Sequence, residues 1–160
     1  MAQQLSFPLS VARVASSQED VRETSRNSGP EVDAYLREVG LPPGLSWCAA
    51  FVSWCVAEAV RQAGGPGGPP RFRGSGGALR LLELNSSLRL GRPSPDGPCV
   101  FVVDRGHGLG HTGFCLELRP DGTMLTVEGN TDPGGDREGD GVYARSDRRA
   151  DSCAGFLAIG

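Results

Sequence analysis

The stretch SWCAAFVSWCVAEAV, Ser46 to Val60, is apolar on nearly every face of the helix that its spacing describes. Phe51, Val52, Trp54, Cys55, Val56 and Ala59 leave no continuous polar stripe. A helix with that surface cannot lie on the outside of a domain, so other elements must cover it. Ser46 reads as its N-cap, and the pattern continues to about Gln62.

The flanking segments supply the cover. Val11, Val14, Ala15 and Val21 recur at helical spacing over 10–25, with Ser10 as the cap. In SGPEVDAYLREVG, Ser28 and Glu31 have the spacing of a capping box and Pro30 falls in the first turn. Val32, Tyr35, Leu36 and Val39 form one stripe, and Gly40 with Pro42 and Pro43 stops that helix, which the pattern places at 30–39. The glycine- and proline-rich stretch 64–77 is a loop by composition, and 78–84 reads as a short helix. From Pro98 the pattern becomes extended. Strands are expected at 99–103, 111–118, 123–129, 141–146 and 154–160, and RPDG joins the second and third as a hairpin. Helices first and antiparallel strands afterwards make an α+β domain, its N-terminal helices packed on a C-terminal antiparallel sheet. A single unit over 1–160 is expected.

Composition excludes several function classes. A chain of 160 residues with 22% charged and 38% hydrophobic residues is globular and sized for one core. A net charge of -3 with no lysine- or arginine-rich block offers no nucleic-acid footprint. Five cysteines form an odd set without a CxxC pair, which argues against a disulfide framework. Only two histidines are present, so a His-rich zinc site is not expected, nor is any other metal or organic cofactor. The N-terminus lacks a basic region followed by an apolar run, and no stretch approaches a membrane span. Synthesis in the cytoplasm without a signal peptide, no membrane partner and a monomeric state are the corresponding expectations.

Chemistry-bearing residues gather in three places. With a two-residue period, His111, Gly113, Cys115 and Glu117 share one strand face; Glu128 and Asn130 share a face of the partner strand. A turn at 119–122 brings His111 beside Glu128 and Asn130. Cys48 lies in the first turn of the apolar helix, where free N–H groups and the positive end of the dipole stabilise a thiolate. Cys55 lies two turns deeper and reads as core. Packing this helix on the face that carries His111 would complete a Cys–His pair with a polar orienter. Taken singly these residues have ordinary readings: a buried cysteine is usually inert filler, Glu128 could face solvent, and His107 in DRGHGLG is a loop residue.

Together the segments resemble a known family. GPEVDAYLREVGLPPGLSWCAAFVSWC is similar to the opening of CHAP domains, the cysteine/histidine-dependent amidohydrolases and peptidases of the NlpC/P60-like, papain-related superfamily. GHTGF (Gly110–Phe114) matches its histidine motif and EGN (Glu128–Asn130) its polar motif. The resemblance spans about 27–160. It implies a papain-like fold, Cys48 as nucleophile, His111 as base, and Glu128 and Asn130 as supporting catalytic residues. SPDGPCVF only approximates the family's proline–glycine–aspartate entry to the first strand, and no wall-binding module is expected here.

The family resemblance further implies hydrolysis of amide bonds in bacterial peptidoglycan or its peptide stems, through a thioester. Such a chain would be a phage lysin or a delivered antibacterial effector acting in the periplasm or cell wall, and a producing cell would need a cognate inhibitor, or immunity, protein. The alternatives are a thiol hydrolase or deamidase toxin acting on a protein, and a catalytically silent binding domain.

Overall fold

The computed structural model describes residues 5–63, 71–132 and 139–159. Helix α1 (Phe7–Ser17), α2 (Pro30–Glu38), α3 (Cys48–Gln62) and α4 (Ala78–Leu84) precede the strands β1 (Arg89–Leu90), β2 (Cys99–Gly106), β3 (Leu109–Leu118), β4 (Thr123–Thr131), β5 (Gly141–Arg149) and β6 (Gly155–Leu157). The strands form one antiparallel sheet in the order β1-β6-β2-β3-β4-β5. This is the expected α+β arrangement of N-terminal helices on a C-terminal antiparallel sheet. Among the described residues, no helix is long and apolar enough to cross a membrane.

Helix α3 holds the centre. Ala49, Phe51, Val52 and Cys55 are fully buried, as its all-round apolar surface requires. Both α1 and α2 pack against it. Tyr35 of α2 lies with its ring centroid 5.7 Å from Trp47, 5.3 Å from Phe51 and 5.0 Å from Trp54, an aromatic cluster at the helix start. On the sheet side, Phe51 meets Phe114 edge-on at 6.1 Å. Val100, Val102, Phe114 and Val127 complete this core. The opposite sheet face has its own cluster of Cys99, Phe101, Cys115, Met124 and Phe156.

Several local expectations change. The first helix runs over Phe7–Ser17 and not 10–25; Ser6 holds the cap position, and Ser10 lies inside the helix with its hydroxyl donating to the Ser6 carbonyl at 3.2 Å. Pro8, with φ already helical, starts the chain earlier than the valine pattern suggests. The cap of α2 is not a Ser28–Glu31 box. The Asp33 carboxylate accepts from the Ser28 hydroxyl at 2.9 Å and the Gly29 N–H at 3.2 Å, giving the reciprocal bond from two residues further in. Helix α2 ends as expected, with Gly40 at φ +74 and the Leu41 N–H returning to the Leu36 carbonyl at 2.9 Å. Ser46 does not cap α3; Trp47 occupies that position and no side chain bonds the first turn. The expected loop at 64–77 lies partly outside the described residues, and 71–77 is irregular. The strands extend beyond the expected limits at β2, β3, β4 and β5, while the last is shorter at Gly155–Leu157. The hairpin turns at Arg119–Gly122, Gly122 having φ +86.

Candidate active site

The start of α3 is fixed through Trp47. Its ring is fully buried and its indole N–H donates to Glu23 Oε1 at 2.8 Å. Gly129 of β4 lies directly beneath: a Cβ there would meet Phe51 Cβ and Trp47 Cζ3, each at 2.8 Å. The close approach of helix and strand therefore requires glycine. With the Asn130 amide oriented to satisfy its partners, Oδ1 accepts from the Trp47 N–H at 3.3 Å and Nδ2 donates to the Gly139 carbonyl at 3.1 Å. Cys48 follows immediately as the first residue of α3, its side chain only 7% exposed.

The structure brings Cys48, His111 and Glu128 together, but from a different direction than the periodicity implies. Helix α3 packs on the sheet face of Phe114, Val127 and Gly129. His111 and Glu128 belong to the other face, with Phe101 6.2 Å from the His111 ring. The β3–β4 pairing among the described residues runs from Leu118↔Met124 to Phe114↔Val127 and goes no further toward His111. The helix start meets β3 in the part beyond that ladder, where the Thr112 N–H acts on the Cys48 sulfur together with the Ala49 N–H. The thiol thus reaches His111 from the helix terminus, not across a shared sheet face. A bulge between Cys115 and Glu117 also ends the simple alternation, so Glu117 pairs with Leu125 and leaves the face of His111.

His111 is 1% exposed and Glu128 is fully buried. His111 Nε2 lies 2.7 Å from Glu128 Oε1. Burial pushes the Glu128 carboxyl up, but hydrogen bonds and charge from His111 and Arg148 hold it at about 2, so it is ionised at neutral pH. A carboxylate only accepts, hence Nε2 carries the proton of this bond. In the neutral ring Nδ1 is then the free base. Nδ1 is buried with no conventional hydrogen-bond partner in the structure. Two side chains act on the ring, Glu128 and Cys48; with Nε2 taken by Glu128, Nδ1 is the nitrogen left to the Cys48 sulfur. Burial pushes the Cys48 thiol up; the adjacent His111 ring with its charge and the two backbone N–H groups outweigh it and bring the thiol below its ordinary value. Burial likewise disfavours charged His111, while Cys48 and Glu128 together raise its pKa. Both shifts favour the charged forms of the pair, thiolate and imidazolium.

Asn130 does not join this chain. Its backbone is left-handed at φ +55 and its amide is occupied by Trp47 and Gly139, so it supports the residue before Cys48 and has no bond to His111. His107 lies exposed in the turn between β2 and β3, at φ +57. Cys55 is fully buried and its thiol is driven well up by burial, with Glu58 adding to the effect.

Residues beyond the sequence-based set complete the site. Arg148 of β5 reaches Glu128 with two bonds, Nη2 to Oε1 at 2.6 Å and Nε to Oε2 at 2.9 Å. The Thr126 hydroxyl donates to Oε2 at 2.6 Å. Arg145 Nε lies 3.8 Å from the same oxygen, but its guanidinium binds the Asp147 carboxylate at 2.9 Å. Glu23 had no signal linking it to Trp47. Among the described residues, no group of three or more His, Cys, Asp or Glu side chains has the arrangement to hold a metal ion.

Searches of the curated proteins and of the solved structures gave no match to the chain. The CHAP domain family matches it over residues 40–130, more than half of its 160 residues, a span that contains Cys48, His111, Glu128 and Asn130. The chain belongs to the CHAP domain family, and its activity is of the cysteine hydrolase and peptidase type.

Proposed function

We propose that the chain hydrolyses amide bonds of bacterial peptidoglycan, with Cys48 as nucleophile, His111 as acid and base, and Glu128 as the residue that orients His111. The observation that carries this reading is the buried His111 Nδ1 left without a hydrogen-bond partner, on a ring that Cys48 acts on, while Nε2 is fixed on an ionised carboxylate. That arrangement leaves one ring nitrogen available for proton transfer and stabilises the imidazolium that results.

The Cys48 sulfur attacks the amide carbon, forming the C–S bond as the carbonyl electrons move to oxygen. The imidazolium of His111 returns its proton to the leaving amine as the C–N bond breaks, giving a thioester. Water then adds to the thioester carbonyl, losing a proton to His111 Nδ1; the carbon–sulfur bond breaks and releases the carboxylic acid. The Cys48 backbone N–H, at the start of α3 where no side-chain cap competes, is suited to receive the oxyanion. Asn130 is better suited to holding the Trp47–Cys48 backbone than to donating to the oxyanion, since its amide already has two partners.

The family's association with cell walls supports the substrate class. Delivery as an antibacterial effector or in phage lysis, with an immunity protein against the former, belongs to the same proposal. Purified sacculi incubated with the protein and with Cys48→Ala, followed by mass spectrometry of the soluble fragments, test it. The expected result is fragments with new amino and carboxyl groups from the parent only. Intact sacculi in both, over a range of wall chemotypes, would refute the substrate assignment.

A further inference from the structure

We propose that Arg148 is a positioning residue for the Cys48–His111 pair: its guanidinium fork fixes Glu128 against His111 Nε2 and, by neutralising part of the carboxylate charge, sets the pH window of the pair. This rests on the reading of His111 as the base, and it assigns a role to a residue outside the motifs that carry the family resemblance.

The geometry is that of a built clamp. Arg148 approaches both oxygens of a fully buried carboxylate, at 2.6 and 2.9 Å, and its own side chain is 10% exposed. Its guanidinium carbon stands 5.3 Å from the centroid of Phe101, whose ring in turn flanks His111 at 6.2 Å. A cation fixed by an aromatic face and a bidentate carboxylate has little freedom. Glu128 therefore cannot rotate about its terminal bond without breaking two charge-assisted bonds and the one from Thr126. The arginine is placed by a bulge: Thr126 pairs with Arg145 and Met124 with Arg148, so three steps on β5 oppose two on β4. The bulge puts both arginines on the Glu128 face, where strict alternation would admit only one.

The charges facing the carboxylate define the electrostatic role. They are His111 from β3, with Cys48 behind it from α3, and Arg148 and Arg145 from β5. Cys153, beyond β5, acts on both Glu128 and Arg148, and Asp147 acts on Arg148 from further out. Arg145 is engaged by Asp147, so Arg148 is the cation that most directly offsets Glu128. An unscreened Glu128 would hold the imidazolium more tightly and retain its proton to higher pH. With Arg148 present the imidazole releases that proton more readily, which the base step requires.

The test separates charge from geometry. His111 and His107 are the only two histidines, so their ring resonances can be followed individually by NMR across pH. In a Cys48→Ala background, where the coupled thiol is gone, Arg148→Met is expected to raise the His111 midpoint by about one pH unit, as loss of a unit charge a few ångströms away implies. Arg148→Lys should leave it near the parent. With Cys48 restored, Arg148→Met should shift the alkaline limb of the turnover profile upward by a similar amount, while Arg148→Lys should lower kcat about tenfold without moving the limb, because a single ammonium cannot hold both oxygens. An unchanged His111 midpoint in Arg148→Met, or equal shifts in the Met and Lys variants, would overturn the proposal. If the Met variant does not fold, Arg148→Lys alone decides: a displaced midpoint, or undiminished turnover, contradicts it. The NMR measurement uses no wall substrate, so a wrong substrate assignment leaves it intact.

Discussion

Replacing Glu128 by glutamine removes the one negative charge that His111 and Arg148 share inside the sheet. The carboxyl is held at about 2 in the fold against an ordinary 4.5, which corresponds to about 3 kcal/mol of folding free energy. The depressed value means that this stabilisation is present above the unfolded pKa and is lost as pH falls through the folded one. His111 runs the other way: its raised pKa adds stability below its ordinary 6.5 that is lost as pH rises through the folded value. Measurements between about pH 5 and 2 keep His111 protonated in both states and isolate Glu128. The loss of the counter-charge of the buried Arg148 guanidinium is part of this same difference and not an addition to it, because Arg148 is one of the groups that hold the carboxyl down. Denaturant titrations at a series of pH values should therefore show the variant less stable than the parent by about 3 kcal/mol at pH 5, with the gap closing toward pH 2. A gap that stays constant over that range would refute the charge-based account and leave only lost packing.

Gly129→Ala should cost about 1–3 kcal/mol in thermal or chemical unfolding and lower turnover as well, because the new methyl would sit 2.7 Å from Phe51 Cγ and 2.8 Å from Trp47 Cζ3, displacing the residue next to Cys48. His111→Ala should abolish turnover on sacculi while His107→Ala leaves it close to the parent; equal losses would mean the base has been misassigned. Asn130→Ala should lower kcat without the shift in pH profile that Glu128→Gln produces, since its amide holds Trp47 and does not touch the imidazole; a shifted profile would place it on His111 instead.

The chain declares the chemistry of this site more openly than its geometry. Cys48 and Cys55 separate on position along one helix, because only a helix terminus offers unpaired N–H groups, and the structure gives the two thiols opposite shifts. The hairpin at Arg119–Gly122 likewise brings β4 back past β3 and sets Glu128 against His111, as its turn residues foretell. What strand periodicity could not supply is where alternation fails. One bulge moves Glu117 off the His111 face, and another moves Arg148 onto the Glu128 face. A bulge adds a residue without leaving a strong mark in an apolar/polar pattern, so in RSDRR the arginines look like partners of their neighbouring aspartates, as Arg145 indeed is. The approach of α3 was hidden for a related reason. Helix α3 packs on the Phe114 face and meets His111 from its terminus, beyond the paired stretch of β3 and β4, and Gly129 is what lets Phe51 and Trp47 come that close to the sheet. Asn130 carried a polar side chain with the right parity for His111, but its left-handed backbone turns it to Trp47.

The central claim is that His111 maintains Cys48 as a reactive thiolate, and the rate of Cys48 alkylation as a function of pH tests it most directly. Cys153 is the informative competitor, since it is the most exposed of the other thiols and burial pushes it up to about 11. Cys99, whose thiol is brought down by its hydrogen bond with Cys115, is fully buried. Brief treatment with a small alkylating reagent, followed by peptide mapping, should label Cys48 first at neutral pH. Its rate should titrate below the ordinary thiol value, and His111→Ala should move that midpoint upward. Earlier labelling of Cys153 or Cys99, or a Cys48 midpoint that His111→Ala leaves unchanged, would contradict the pairing on which the mechanism depends.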